Sequence, residues 1–334
     1  MRLSVLDQSP VISGHSPARA IEETLKLARR VEELGYSRYW LAEHHAIAAL
    51  GDPCPEVLLA RLGAETKKMR IGTGGVLLPY YSAFKVAEVF RMLEAMYPGR
   101  VDLGIGRAPG GDARTARAVG GGRFPDAEHF PQQVWELVGH LDGTLPPDHP
   151  ERGVRLQPGG ETVPEVWLLG SSDYSGLLAA QLGLRFAFAH FINPNGGDLV
   201  MRAYKERFKP AAKRDAEPHT LLCCSVVCCD TDAEAERQAK VIDLRRLEMA
   251  YNLDTPVPTL AQAEGRAYNE QEIAHIRSQR ARLIAGSPGA CKARLLELAE
   301  QYSADELMIL TITGDYESRK KSYELLADVF TLRP

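Results

Sequence analysis

Eight times along the chain a short apolar run, rich in β-branched and aromatic residues, is followed by a stretch with the periodicity of an amphipathic helix. This repetition constrains the fold more than any other feature. The runs begin at Leu3, Arg38, Arg70, Val101, Glu165, Leu184, Leu221 and Glu306. A strand followed by a crossover helix feeds a parallel sheet, and eight such units predict a closed (β/α)8 TIM barrel of the α/β class rather than an open doubly wound sheet. A length of 334 residues suits one barrel domain spanning 1–334, because barrels commonly exceed 200 residues as single units.

Local signals support the units. Ser16 is placed to cap a helix opening at Pro17, in which Ile21, Leu25, Ala28 and Val31 form one apolar stripe before Gly35 stops it. Helical patterns cover 55–65, 83–96 and about 128–141, and the glycines of "MRIGTGGVLL" imply a bulge or a close backbone approach on the third strand. The glycine-rich segment "RAPGGDARTARAVGGGRF" is too long for a mere connection and is a candidate functional loop. The stretch from about 249 to 288 breaks the rhythm after the seventh strand. It is expected to be a lid-like insertion over the barrel mouth, with a stabilising side pair of helices as the equal alternative.

Composition excludes several classes. Charged residues are 25% of the chain and the formal net charge is −4, which gives no footprint for DNA, RNA or anionic lipid. "MRLSVLDQSP" has no signal-peptide core, and the longest mostly apolar stretch, "LLCCSVVCC", is too short to span a bilayer, so no membrane association and a cytoplasmic location are expected. The pairs Cys223-Cys224 and Cys228-Cys229 sit on that same strand, where neighbours point to opposite faces. They are expected to be small buried hydrophobes rather than zinc ligands.

In a TIM barrel the side chains just past the strand ends gather at one face, where active sites lie. Asp7 and Gln8, then Glu43, His44 and His45 of "WLAEHH", Gly74-Gly75, Arg107, Ser171 and Ser172, and His190 all fall there. Two adjacent histidines admit three uses: a metal, an acid/base catalyst, or a structural pair. Consecutive imidazoles diverge and no His-x-His ends the first strand, which favours one catalytic or hydrogen-bonding ring and no metal. Gly170 through Ser175 opens a helix directly after an apolar strand, where free N–H donors and serine hydroxyls suit a phosphate, although a plain N-cap at Ser172 or Asp173 explains the same residues. Arg107 and Arg123, flanking the glycine-rich loop, would supply charge compensation. Gly104 and Gly106 start a dinucleotide fingerprint that fails at Pro109.

Taken as a set, "LDQSP", "LGYSRYWLAEHH", "RIGTGGVLLPYYSAFKVAEVFRMLEAMYPGRVDLGIGR", "WLLGSSDYSGLLAAQLG" and "GSPGACKARLLELAEQYSADELMIL" resemble the bacterial luciferase-like family of flavin-dependent oxidoreductases, over nearly the whole chain. The resemblance implies a barrel binding FMN at the strand C-termini. Gly74-Gly75 then matches a non-prolyl cis peptide behind the flavin ring, and Arg107 an arginine near the phosphate. Ser172 and Ser175 match phosphate-binding hydroxyls, with the Ser171 amide nearby, and Arg123 is a further match in a loop of different length. His44 matches the imidazole of the catalytic region, with His45 behind it. The implied activity is a two-component monooxygenase that takes reduced FMN from a separate NAD(P)H:flavin reductase and oxidises a small organic substrate with O2. The barrel would exclude water while His44 moves a proton. A homodimer is expected by the same analogy. The alternatives are a deazaflavin-dependent hydride transferase and a non-catalytic flavin-binding subunit, with a metal hydrolase last.

Overall fold

The computed structural model describes residues 1–107 and 112–334. The start of the glycine-rich loop, including Pro109, lies outside them. Strands and helices alternate as β1 (Arg2–Asp7), α1 (Pro17–Glu33), β2 (Arg38–Leu41), α2 (Pro55–Glu65), β3 (Arg70–Thr73), β4 (Val76–Leu77), α3 (Ala83–Met96) and β5 (Val101–Gly106). Then come α4 (Ala113–Val119), α5 (Phe130–Asp142), β6 (Glu165–Gly170), α6 (Asp173–Leu182), β7 (Arg185–Ala189), α7 (Gly197–Arg207) and β8 (Thr220–Cys228). The chain ends with α8 (Asp232–Ala250), α9 (Leu260–Gly265), α10 (Glu270–Gln279), β9 (Leu283–Gly286), α11 (Pro288–Gln301), β10 (Glu306–Leu310) and α12 (Tyr316–Phe330). Ser16 caps α1 as its position predicts, accepting from the Arg19 amide at 3.2 Å.

The sheet runs β1-β2-β3-β5-β6-β7-β8, and β10 closes it by pairing in parallel with both β8 and β1, so eight strands form the barrel. The third strand is interrupted at Gly74-Gly75, whose peptide bond is cis as the resemblance implies, and resumes as β4 against β5. One detail differs from the sequence reading: the 249–288 segment holds a strand, β9, which extends the sheet beside the end of β8, from Ser225 paired with Leu283 to Cys228 paired with Gly286. Four residues between Arg282 and Ser287 were too few to show a period. The segment before β9 is fastened to the barrel rim. Val257 exchanges 2.8 Å backbone bonds with Val11 and Ser13, and Asp254 accepts the Ala48 amide at 2.7 Å.

Inside the barrel the side chains stack in layers. At the bottom Arg38, almost fully buried, donates to Asp102 and Glu306, each at 2.8 Å, and Arg70 holds Asp102 from the other side at 2.6 Å. Burial works to raise the Glu306 carboxyl, yet the Arg38 and His219 side chains win and bring it down to about 2. Above this plug Trp40 and Trp167 meet edge to face, 5.3 Å apart, with Trp40 Nε1 donating to Asp102 at 2.8 Å. Glycine is required opposite them. A Cβ at Gly72 would come within 2.6 Å of the Asp102 carbonyl oxygen and 2.9 Å of Trp40, and one at Gly104 would run into the Thr73 carbonyl oxygen. The bulky layer therefore fills the barrel floor and leaves space only above it.

Candidate active site

That space is a cavity of about 260 Å³ at the C-terminal ends of the strands. Its base and sides are apolar, from Leu6, Trp40, Leu77, Leu169, Phe188, Phe191 and Met308, and polar groups enter from two directions.

From the β2 side come Glu43 and His44. The Glu43 carboxylate is buried and fully engaged: Leu77 N–H donates to Oε2 at 2.9 Å, the Tyr81 hydroxyl donates to Oε1 at 2.6 Å, and His45 Nε2 lies 2.7 Å from that same oxygen. Burial, and next the Glu43 carboxylate, push the Tyr81 phenol well above its ordinary value, so it stays a donor. His44 lines the cavity, its amide bonded to the Asp52 carbonyl at 3.3 Å, and its buried Nδ1 has no hydrogen-bond partner among the described residues. Burial, followed by the positive charge of Arg245, lowers the His44 ring to about 4, so it is neutral at pH 7. Asp52, just behind, is 4% exposed with one oxygen unpartnered. Burial, with Asp7, Glu56 and Glu43 adding to it, raises its carboxyl to about 7.

From the β5–β6 side come Arg107, Ser171, Ser172 and Ser175. Ser172 is the N-cap of α6, but its hydroxyl makes no capping bond. Ser175 is buried against Gly170, where a Cβ would stand 2.6 Å from its oxygen. Asn193 fixes the Ser171 carbonyl at 3.1 Å. The Arg107 guanidinium stacks on Tyr174, 4.4 Å from the ring centre, which leaves its edge free for hydrogen bonding. The free hydroxyl, the helix N-terminus and the cation are groups whose chemistry suits an anion. Between the two sides lie Gly74 and Gly75. A Cβ on Gly74 would come within 2.6 Å of Leu6, and one on Gly75 within 2.6 Å of the Gly104 carbonyl oxygen.

The structure therefore brings His44, Gly74, Gly75, Arg107, Ser171, Ser172 and Ser175 around one cavity. Four other candidates lie elsewhere. Asp7 points away from the cavity: burial alone would raise its carboxyl, but Arg319 at 2.6 Å, with the Tyr39 hydroxyl and the Ser9 amide, holds it low. His190 packs on Tyr302, outside the cavity, and burial lowers its ring to about 4. His45 is held behind the wall by Glu43, and Arg123 is exposed on the loop after α4. Sequence reasoning gave Glu43, Tyr81 and Asp52 no role. Glu43 and Tyr81 are 38 residues apart, and nothing local announces that bond. Among the described residues no cluster of His, Cys, Asp and Glu could hold a metal ion, and no helix is long and apolar enough to cross a membrane.

A closed parallel barrel whose apolar cavity at the strand C-termini meets Arg107 and three serines on one side and a neutral imidazole on the other defines a TIM-barrel protein with a candidate active site at the usual face. The chain belongs to the luciferase-like monooxygenase family, whose sequence pattern matches residues 1–305. It is 37% identical over 332 residues to a luciferase-like monooxygenase of Escherichia coli K12, covering 98% of this chain and 96% of that one. It is 34% identical over 328 residues to the N-acetyl-S-alkylcysteine monooxygenase of Bacillus subtilis, covering 98% of each. The crystal structure of apo-MsnO8 superposes with a TM-score of 0.93 at 37% identity, over 100% of this chain and 99% of that one.

Proposed function

We propose that the protein is the oxygenase component of a two-component flavin system, binding reduced FMN that a separate NAD(P)H:flavin reductase supplies and oxidising a small organic substrate with O2. The observation that carries this reading is the arrangement of the cavity, with Gly74-Gly75 lying between the Arg107, Ser171, Ser172 and Ser175 side and the imidazole of His44. The donor set fits FMN. A guanidinium edge, an uncommitted Ser172 hydroxyl and helix N–H groups suit a phosphate dianion, and the apolar walls of Leu6, Leu77 and Leu169 beside Gly74-Gly75 suit a planar ring.

Bound reduced FMN would supply the two electrons with which one atom of O2 enters the substrate and the other leaves as water. The chain's own residues do the rest. Arg107, Ser172 and Ser175 hold and orient the phosphate, while Leu6, Leu77, Leu169, Phe188 and Met308 keep water out. His44, neutral at pH 7, holds or passes a proton at a ring nitrogen, its backbone fixed by Asp52 and its neighbouring wall by Glu43. Arg107 rather than Arg123 is the cation of this set. A homodimer through α2 and α3 is supported by the exposed side chains of Val57, Met92 and Met96, and a reducing, cytoplasmic location by six free cysteines.

The test is turnover with FMN, NADH and a flavin reductase under ¹⁸O2, with N-acetyl-S-alkylcysteines first among the candidate substrates. Incorporation of one ¹⁸O atom into the product is the expected result. Flavin reoxidation with no labelled product across thioether, aldehyde and ketone panels would overturn it.

A further inference from the structure

Among the described residues that line the cavity, Gln8 carries the one side-chain amide, and the proposed flavin phosphate leaves it unused. Gln8 follows β1, and β1 stands four strands from β6 in either direction round the barrel, so Gln8 faces the cavity from the side opposite Ser171, Ser172 and Ser175. Its carboxamide is half-buried and makes no hydrogen bond with any described residue. Neighbouring polar groups of the lining are already engaged: Glu43 is held by Leu77, Tyr81 and His45, and Trp40 Nε1 donates to Asp102. The lining contributed by β1, β8 and β10 is Leu6, Leu221, Cys223 and Met308, so on those strands no charged residue among the described ones faces the cavity.

The backbone that presents Gln8 is held on both sides. Before it, Asp7 Oδ1 accepts from Arg319 at 2.6 Å and Oδ2 from the Thr24 hydroxyl at 2.9 Å. After it, Ser9 has a φ of 48°, the left-handed region that a residue with a Cβ rarely adopts. That turn is kept by the Ser9 amide donating to Asp7 Oδ1 at 2.7 Å, by its hydroxyl meeting that of Thr24 at 3.0 Å, and by its carbonyl accepting from the Gly51 amide at 2.9 Å. Asp7, Ser9 and Thr24 are all buried. A strained turn fixed by a buried network holds a recognising side chain in place before its ligand arrives.

We propose that Gln8 recognises the substrate, and that the molecule oxidised here presents a planar primary-amide or lactam edge to the β1 side with an apolar body in the cavity. This rests on the oxygenase reading above, because it takes the β5–β6 side to be occupied by the cofactor's phosphate. A carboxamide offers a carbonyl acceptor and an N–H donor on one edge. A primary amide or lactam brings the complementary pair and closes two parallel hydrogen bonds. A ketone or ester leaves the Gln8 carbonyl unmet, and a group unmet in an apolar surround bears its full desolvation cost. A carboxylate would leave water with no cation of the described lining on that side to pair with it. Gln8 and His44 follow adjacent strands, so an amide held by Gln8 is anchored on the His44 side of the cavity. Gln8 is thereby a specificity residue, with its effect on substrate binding and not on flavin binding.

The probes are hexanamide and its isostere 2-heptanone, in which a methyl group replaces the NH2, titrated by calorimetry and ligand-observed NMR into wild type, Gln8→Met and Gln8→Glu, with and without FMN. Comparing the ratio of the two affinities between proteins removes the different hydration of the probes. The amide-to-ketone ratio is expected to be about tenfold higher in wild type than in Gln8→Met, the scale of one hydrogen bond and the partner it leaves unmet. Gln8→Glu keeps an acceptor for the amide N–H and should lie between them, with FMN affinity unchanged in both variants. The same ratio in wild type and Gln8→Met, a loss of FMN affinity in the variants, or no binding of hexanamide by wild type would each overturn the proposal. If FMN fails to bind wild type while the ratio still falls in Gln8→Met, the flavin reading falls and the amide site stands. If FMN binds and the ratio does not move, the amide site falls and the flavin reading stands.

Discussion

The carboxylate of Glu43 holds the ring of His45 at 2.7 Å, and this leaves His44 alone of the pair to face the cavity. The two histidines thus divide the uses that adjacent imidazoles allow, one in a structural hydrogen bond and one in the site. His44→Gln is expected to lower kcat by about 10²- to 10⁴-fold, the range for a positioned proton-transfer group, with FMN affinity unchanged. His45→Gln should retain most of the activity, since Gln can still donate to Glu43. Steady-state kinetics of the two variants decide between them, and a larger loss in the His45 variant would reverse the assignment.

The rings of His44 and His190 both titrate at about 4, below the ordinary 6.5, because burial disfavours their charged forms. Between those values the unfolded chain takes up protons that the folded chain does not. Their contribution to stability is therefore complete above about pH 6.5 and is lost as the pH falls toward 4. Urea unfolding at pH 7 and pH 4.5 should show a smaller pH effect in His190→Asn than in wild type.

Asp52 has the opposite sign. Its folded-state carboxyl titrates at about 7 against an ordinary 3.8, so its burial is tolerated below pH 3.8 and opposes folding increasingly as the pH rises through 7. Asp52→Asn keeps the shape and removes the ionisation. The variant should gain clearly more stability relative to wild type at pH 8 than at pH 5, measured by denaturant midpoints at the two values. An equal change at both would mean that this carboxyl does not titrate in that range.

Arg38 holds the bottom of the barrel. Its Asp102 and Glu306 partners are both fully buried, so Arg38→Met takes from each the guanidinium they share, leaving Asp102 to Arg70 and Glu306 to Ser4 and His219, and should cost on the order of 3 kcal/mol at pH 7. Flavin binding per folded molecule should survive, because the tryptophan layer separates this network from the cavity. Chemical denaturation combined with FMN titration tests both parts.

The barrel was legible because eight β-rich runs, each with a helical pattern behind it, leave few other ways to bury both faces of the strands. Helices α1, α2 and α3 fall where their caps and periods place them. The position of the β6–α6 junction was legible for a related reason: Gly170 to Ser175 reads as a strand passing directly into a helix, and that junction borders the cavity. Strand parity explains Asp7. Leu6 and Gln8 line the cavity, so the residue between them must point outward to Arg319. His190 lies past the end of β7, where the chain turns toward Tyr302, and no period extends that far. Glu43 and Tyr81 meet only through the closed fold, so no local pattern marks them. The four residues of β9 carry too few alternations to distinguish a strand from a loop.

The central claim is that this cavity binds flavin through Arg107, and the most direct measurement is an anaerobic titration of wild type and Arg107→Ala with dithionite-reduced FMN, followed by admission of air. Tight binding to wild type, weakened about 10- to 100-fold by loss of the charge-assisted phosphate contact, is the predicted result, with reoxidation in air changed by the protein. Binding that is equal in both proteins, or absent from wild type while a deazaflavin coenzyme binds, would contradict it.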